Sequence, residues 1–239
     1  MPAAWFDVTD ELQANEDLFE WVDLLESVAS AGDRFVMLDL GAGYGRWLVN
    51  AALACRQQGK DFFVAGVEAE DVHYQWMLEH LADNDIPDGQ SLAIHAPVSD
   101  VEKEVLFTCG HPTEWYGQTI LTSADTPYGD WPRSSVKARR AVAIGNLLTR
   151  LGRLDSLHAD VQGEEKVIFP ACIDLLDRAV KRVHIGTHSR EIDDILRRLF
   201  SEHGWENHFS FPCQTERVAT PFGVIDFQDG VQSWINPRL

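Results

Sequence analysis

Apolar residues recur along this chain with two alternating periods, one helical and one extended. Residues 15–29, NEDLFEWVDLLESVA, place Leu18, Val22, Leu25 and Val28 on one helical stripe. Asn15 suits the N-cap, and Glu16 and Asp17 in the first turn complement the positive end of the helix dipole. An apolar strand follows from Phe35 to Leu40, and after it come GAGYG and a helical stripe of Trp47, Leu48, Ala51, Ala52 and Cys55. Phe62 to Val67 predicts a second strand, 71–82 a helix and Leu92 to His95 a third strand. Further on, 141–151 predicts a helix and Leu154 to Ala159 a strand. Residues 164–180 predict a helix interrupted at Pro170, because proline lacks the amide hydrogen that continues the ladder. Val183 to Ile185 predicts a fifth strand. Ser189 caps a helix carrying Ile192, Ile195, Leu196, Leu199 and Phe200 on one face, and Gly204 ends it. Two strand-like runs, 206–211 and 222–228, predict an antiparallel pair. Strands alternating with helices imply a mostly parallel sheet covered on both faces, with that hairpin at its C-terminal end.

Length and composition fit such a fold. The 239 residues are 45% apolar and 24% charged, enough for one domain with a full core. Acids outnumber Lys and Arg by 38 to 20, a formal charge of −18. That balance opposes phosphate-tracking nucleic-acid binding and anionic membrane surfaces. The charge is uneven: residues 1–33 hold nine acids and no Lys or Arg, while 131–154 hold six basic residues and no acid. The opening MPAAWFDVTDEL lacks the basic and apolar regions of a signal peptide, and no apolar run is long enough to span a bilayer. A soluble cytoplasmic protein is expected. Cys55, Cys109, Cys172 and Cys213 are scattered without a CxxC pair, as buried apolar thiols are.

The strongest chemical signal is Asp39-Leu40-Gly41-Ala42-Gly43-Tyr44-Gly45 between a strand and a helix. Alternate glycines let the backbone turn and approach a ligand at the carboxyl edge of the first strand, where open α/β sheets bind ligands. Glu68 ends the second strand, where an acid can accept both ribose hydroxyls. The loop is not the GxGxxG of dinucleotide folds, which argues against a nicotinamide oxidoreductase. An acid ahead of the glycines suits a cationic amino group without pyrophosphate, a description met by S-adenosylmethionine.

These residues resemble motif I and the second-strand acid of class I methyltransferases. LDSLHADVQGEEKVIF at 154–169, VHIGTHS at 183–189 and IHAPVSD at 94–100 further resemble the fourth-, fifth- and third-strand blocks of the FkbM methyltransferases. Gln162 and Thr187 stand where that family commonly has Glu, so no role needing a carboxylate carries over to them. The resemblance implies a Rossmann-like class I methyltransferase fold of seven strands over 1–239, with an N-terminal helical extension at 1–33 and a substrate-loop insertion at 108–140. It implies that Asp39, Gly41, Gly43 and Tyr44 hold the methionine end of S-adenosylmethionine, Glu68 its ribose, and Ala96 its adenine.

Methyl transfer from a sulfonium needs alignment, exclusion of water and often a base. Asp160 and His188, at neighbouring strand ends, are the candidate catalytic residues; a near-neutral His suits a hydroxyl acceptor. His158, Asp160, Glu164, His184 and His188 offer metal ligands, but their spacing along the strands argues against a catalytic metal, and none is expected. Trp115, Tyr116, Gln118 and Gln162 are candidate walls of an acceptor pocket. Arg133, with Lys137, Arg139 and Arg140, is a candidate contact for an anionic group. The expected activity is O-methylation of a small molecule, sugar or secondary metabolite. An N-methyltransferase and a non-catalytic S-adenosylmethionine-binding protein are the alternatives.

Overall fold

The computed structural model describes residues 15–109, 118–121 and 136–239. The first half runs α1 (Asp17–Ser30), β1 (Arg34–Leu40), α2 (Arg46–Gln57), β2 (Asp61–Glu68), α3 (Asp71–Asp83) and β3 (Ser91–His95). Short strands β4 (Val98–Ser99), β5 (Lys103–Thr108) and β6 (Ile120–Leu121) lead to β7 (Val136–Ala143) and α4 (Ile144–Leu151). The second half runs β8 (Ser156–Ala159), α5 (Glu165–Ala179), β9 (Arg182–Thr187), α6 (Arg190–Glu202) and β10 (Glu206–Phe211). It ends with β11 (Thr215–Thr220), β12 (Gly223–Phe227) and β13 (Gly230–Ile235).

Seven strands form the main sheet in the order β3-β2-β1-β8-β9-β13-β10. All neighbours from β3 to β9 pair in parallel, and β13 enters antiparallel between β9 and β10. The chain leaves β1 toward β2 and β3 on one side and later returns to β8 and β9 on the other. The order therefore reverses at β1, whose carboxyl end is the switch point where such sheets bind ligands. One apolar core includes Ile144, Phe169 and Phe200 from α4, α5 and α6; a second includes Val28, Leu48 and Met77 from α1, α2 and α3. Helix α1 is also anchored by Phe19, fully buried among Phe209, Ile225, Phe227 and Val231. All four cysteines are buried and unpaired. Among the described residues, no helix is long and apolar enough to cross a membrane.

Three local expectations are corrected. The run 206–211 pairs with 230–235, and 222–228 pairs with 215–220 instead. Strand β13 escapes a hydrophobic pattern because Gln232 and Ser233 are both fully buried, each hydrogen-bonded to a buried aspartate. The helix expected from 141 begins at 144, because 136–143 is the central strand of a small sheet ordered β4-β7-β5-β6. Helix α5 runs through Pro170 without a break. Proline forfeits one ladder bond there, and burial of Ile168, Phe169, Cys172 and Ile173 holds the helix together.

Candidate functional site

The glycine loop leaves β1 in left-handed backbone, with φ of +79° at Gly41, +54° at Gly43 and +78° at Gly45. At Gly41 space is also decisive, since a Cβ would lie 1.9 Å from the Asp160 carbonyl oxygen. The loop thus turns directly against the end of β8. Glu68 closes it from the other side: one carboxylate oxygen accepts the Gly43 N–H at 2.7 Å and the other the Glu70 N–H at 2.7 Å. Burial pushes the Glu68 carboxyl up, the backbone donors only partly oppose this, and it comes to about 7. Ala96 follows β3 and donates its N–H to the Glu68 carbonyl at 3.0 Å. Tyr44 stacks on His80 at 5.2 Å.

A cleft of about 620 Å³ opens over these strand ends, within the range of small-molecule sites. Gly41, Gly43, Tyr44, Glu68 and Ala96 line it, as do Asp160, Gln162, His188 and Gln118. Among the described residues, seven carboxyl side chains, Glu20, Glu164 and Asp229 among them, face it against one guanidinium, that of Arg46. Arg46 is bonded to Asp17 at 2.8 Å and lies over Trp47.

Asp160 and His188 meet. His188 Nε2 lies 3.2 Å from Asp160 Oδ1, and His188 Nδ1 lies 3.7 Å from Glu165 Oε1. The Gln162 amide nitrogen is 3.1 Å from Asp160 Oδ1 and 2.8 Å from His188 Nε2. Burial opposes the charge on His188, but the two carboxylates outweigh it and raise the imidazole to about 11. Burial would raise Asp160, and the hydrogen bond and charge of His188 instead hold it below the usual carboxylate range. The side chain expected to be a near-neutral base is instead pushed toward its charged form by these carboxylates. Glu165, which the sequence did not single out, holds this loop: it is fully buried and accepts the Val161 and Gly163 N–H groups at 2.8 Å each. That support keeps Gln162 at a φ of +53°. Thr187 is buried and donates to Asp193, so it ties β9 to α6.

Asp39 stands apart from the other loop residues. It is fully buried, does not line the cleft, and its Oδ1 lies 2.8 Å from His158 Nδ1. His158 Nε2 reaches Glu20 Oε2 at 3.1 Å. Burial disfavours charge on His158, but Asp39 and Glu20 outweigh it and raise the imidazole well above its ordinary value. Beside it, His184 Nδ1 lies 2.6 Å from Asp23 Oδ2. Burial would raise Asp23, yet His184 and His208 hold its carboxyl far below the usual range. Glu20 and Asp23 belong to α1, and the sequence pattern singled out neither.

The basic strip lies elsewhere. Lys137 and Arg139 both pair with Asp71, and Arg140 pairs with Glu102 at 3.1 Å; none of the three lines the cleft. Trp115, Tyr116 and Arg133, with most of the 108–140 stretch, lie outside the described residues.

No family model matches the chain. It is 28% identical over 231 residues to a protein of Jannaschia sp. (strain CCS1) that bears the provisional name of methyltransferase, covering 93% of this chain and 80% of that one. Its fold aligns with the methyltransferase FkbM of Methylobacillus flagellatus KT at a TM-score of 0.53 and 14% identity, over 84% of this chain and 44% of that longer one. A precorrin-6y C5,15-methyltransferase of Geobacter metallireducens GS-15 aligns at 0.49 and 12% identity, over 90% of this chain and 85% of its own. The chain spans less than half of the FkbM protein. Strand order, the reversal at β1 and this alignment together give the chain the Rossmann-like fold of class I methyltransferases.

Proposed function

We propose that this protein is an S-adenosylmethionine-dependent methyltransferase acting on a small molecule. One observation carries the reading: the glycine loop after β1 and the acid ending β2 line a single cleft at the switch point and are hydrogen-bonded to each other. The name of the Jannaschia relative supports the same activity. A dinucleotide is disfavoured by the same geometry. Its pyrophosphate needs free N–H donors at the loop, whereas Gly43 N–H serves Glu68 and the cleft is lined by carboxyls. A sulfonium with an α-amino group suits that charge.

In this reading Glu68 holds the ribose, Ala96 flanks the adenine, and Gly41 to Tyr44 cradle the methionine end. Asp39 acts from behind the loop, on His158. Asp160 positions the acceptor hydroxyl and receives its proton, since Oδ1 is tied to Gln162 and His188 and Oδ2 is left for a ligand. His188 fixes that carboxylate. The acceptor is neutral where it enters the cleft, a hydroxyl of a sugar or secondary metabolite. Lys137, Arg139 and Arg140 of the strip expected to bind an anion are already paired. Methylation of an amine is the second reading, favoured by the excess of carboxyls.

Thermal melting tests the cofactor. S-adenosylmethionine or S-adenosylhomocysteine at a hundredfold excess over its dissociation constant stabilises the protein by about 2.7 kcal/mol, and NAD does not. No shift with either methionine nucleoside rejects the proposal. Screening candidate acceptors for the mass gain of one methyl group identifies the substrate.

A further inference from the structure

We infer that Glu20, His158 and His184 form a binding site for a divalent transition-metal ion in the wall of the cleft. The three come from α1, β8 and β9. Strand register sets His158 beside His184, their rings 5.5 Å apart and within 15° of parallel. One ligand atom from each of the three residues lies within 4.8 Å of the other two. Glu20 Oε2 and His158 Nε2 are 3.1 Å apart, close to the spacing of two ligands each about 2.1 Å from one ion.

The surroundings are those of metal-binding histidines, whose second ring nitrogen is held by a carboxylate. His158 Nδ1 is held by buried Asp39 at 2.8 Å, and His184 Nδ1 by buried Asp23 at 2.6 Å. Asp23 is fixed in turn by Arg182 and Ser233, at 2.7 Å each. The Nε2 atoms are then the ligand nitrogens, and an ion there displaces the proton that His158 Nε2 shares with Glu20. Two imidazoles and one carboxylate select a borderline ion such as zinc, manganese, cobalt or iron(II) over magnesium or calcium. All three residues line the cleft, so the remaining coordination positions face its interior. There the ion binds the oxygen or nitrogen of the acceptor. That last role rests on the methyltransferase reading; ion binding does not.

The test uses the full, tag-free chain, stripped with a chelator and titrated calorimetrically with Zn²⁺, Mn²⁺, Co²⁺ and Mg²⁺. One transition ion binds per chain, more tightly than Mg²⁺, and bound Co²⁺ gives a visible absorption band. E20Q and H184N weaken binding about tenfold or more, while H203N, in the separate Asp174–Asp177–His203 group, leaves it unchanged. E20Q keeps the side-chain shape, so it decides the matter even if H184N fails to fold. Affinity for the transition ion within twofold of wild type in E20Q overturns the site. So does a loss of binding in H203N, or no binding at one ion per chain up to about 1 mM. S-adenosylhomocysteine binding is measured in parallel without metal. Ion binding without nucleoside binding upholds this site and rejects the cofactor reading, and the reverse rejects this site alone.

Discussion

Glu68 accepts the backbone N–H of Gly43 at 2.7 Å, so the acid that ends β2 and the loop that leaves β1 form one unit. In the proposed cofactor site, affinity is therefore expected to be linked to proton release. Burial holds the Glu68 carboxyl at about 7, with much of it protonated at neutral pH. A ribose diol donates to the ionised form and favours it. Affinity for S-adenosylhomocysteine rises about tenfold from pH 6 to pH 8, as calorimetry reads it. E68Q binds more weakly and shows no such rise; a flat wild-type profile would refute the linkage.

His188 makes a pH-dependent contribution to folding. Its folded value of about 11 lies above that of an unfolded His, about 6.5. The stabilisation is therefore complete below about pH 6.5 and is lost progressively as pH rises toward 11. Between pH 7 and 10 the wild-type Tm falls more steeply than that of H188Q. At pH 7 the substitution costs on the order of 2 kcal/mol, since it strips a charged partner from Asp160 and Glu165.

Asp160→Asn separates chemistry from binding. With an acceptor found by mass gain, turnover falls about 10²- to 10⁴-fold, while affinity for S-adenosylhomocysteine stays within threefold. Equal turnover in the variant places proton removal elsewhere.

Thr187 holds β9 to α6 through a buried carboxylate. Its hydroxyl donates to Asp193, whose other oxygen accepts the Cys213 N–H at 3.0 Å. T187E sets a second carboxylate against the first and costs about 3–5 kcal/mol in urea melts. T187V loses only the hydrogen bond, about 1 kcal/mol. Equal stability of T187E and wild type would contradict this account.

G41A meets both a positive φ and the Asp160 carbonyl. It destabilises by at least about 2 kcal/mol, or displaces the loop and abolishes cofactor binding. A variant with native stability and affinity would show that the loop has room to shift.

The sequence made much of the frame legible because its signals there are local. Phe35 to Leu40 form an apolar run along β1, Trp47 and Ala51 share a face of α2, and the glycines between them have one conformational use. What stayed hidden was set by partners far along the chain. Asp39 reads as a cofactor ligand until β1 and β8 lie side by side and place it opposite His158. Glu20 gains a role only when α1 sets it against His158 of β8. Lys137 and Arg139 read as a free basic strip until Asp71, at the start of α3, takes them both. The second β-pair was misassigned because the fully buried Gln232 and Ser233 look like loop residues in a linear pattern.

The absent side chain of Gly41 has a wider consequence. Because the first-strand loop rests on the Asp160 carbonyl with no room for even a methyl group between them, donor and acceptor share one backbone ruler. In a methyltransferase, the reach from sulfonium carbon to nucleophile is then set by main-chain contact. Side-chain changes around the cleft can alter which molecule is accepted while that reach stays constant.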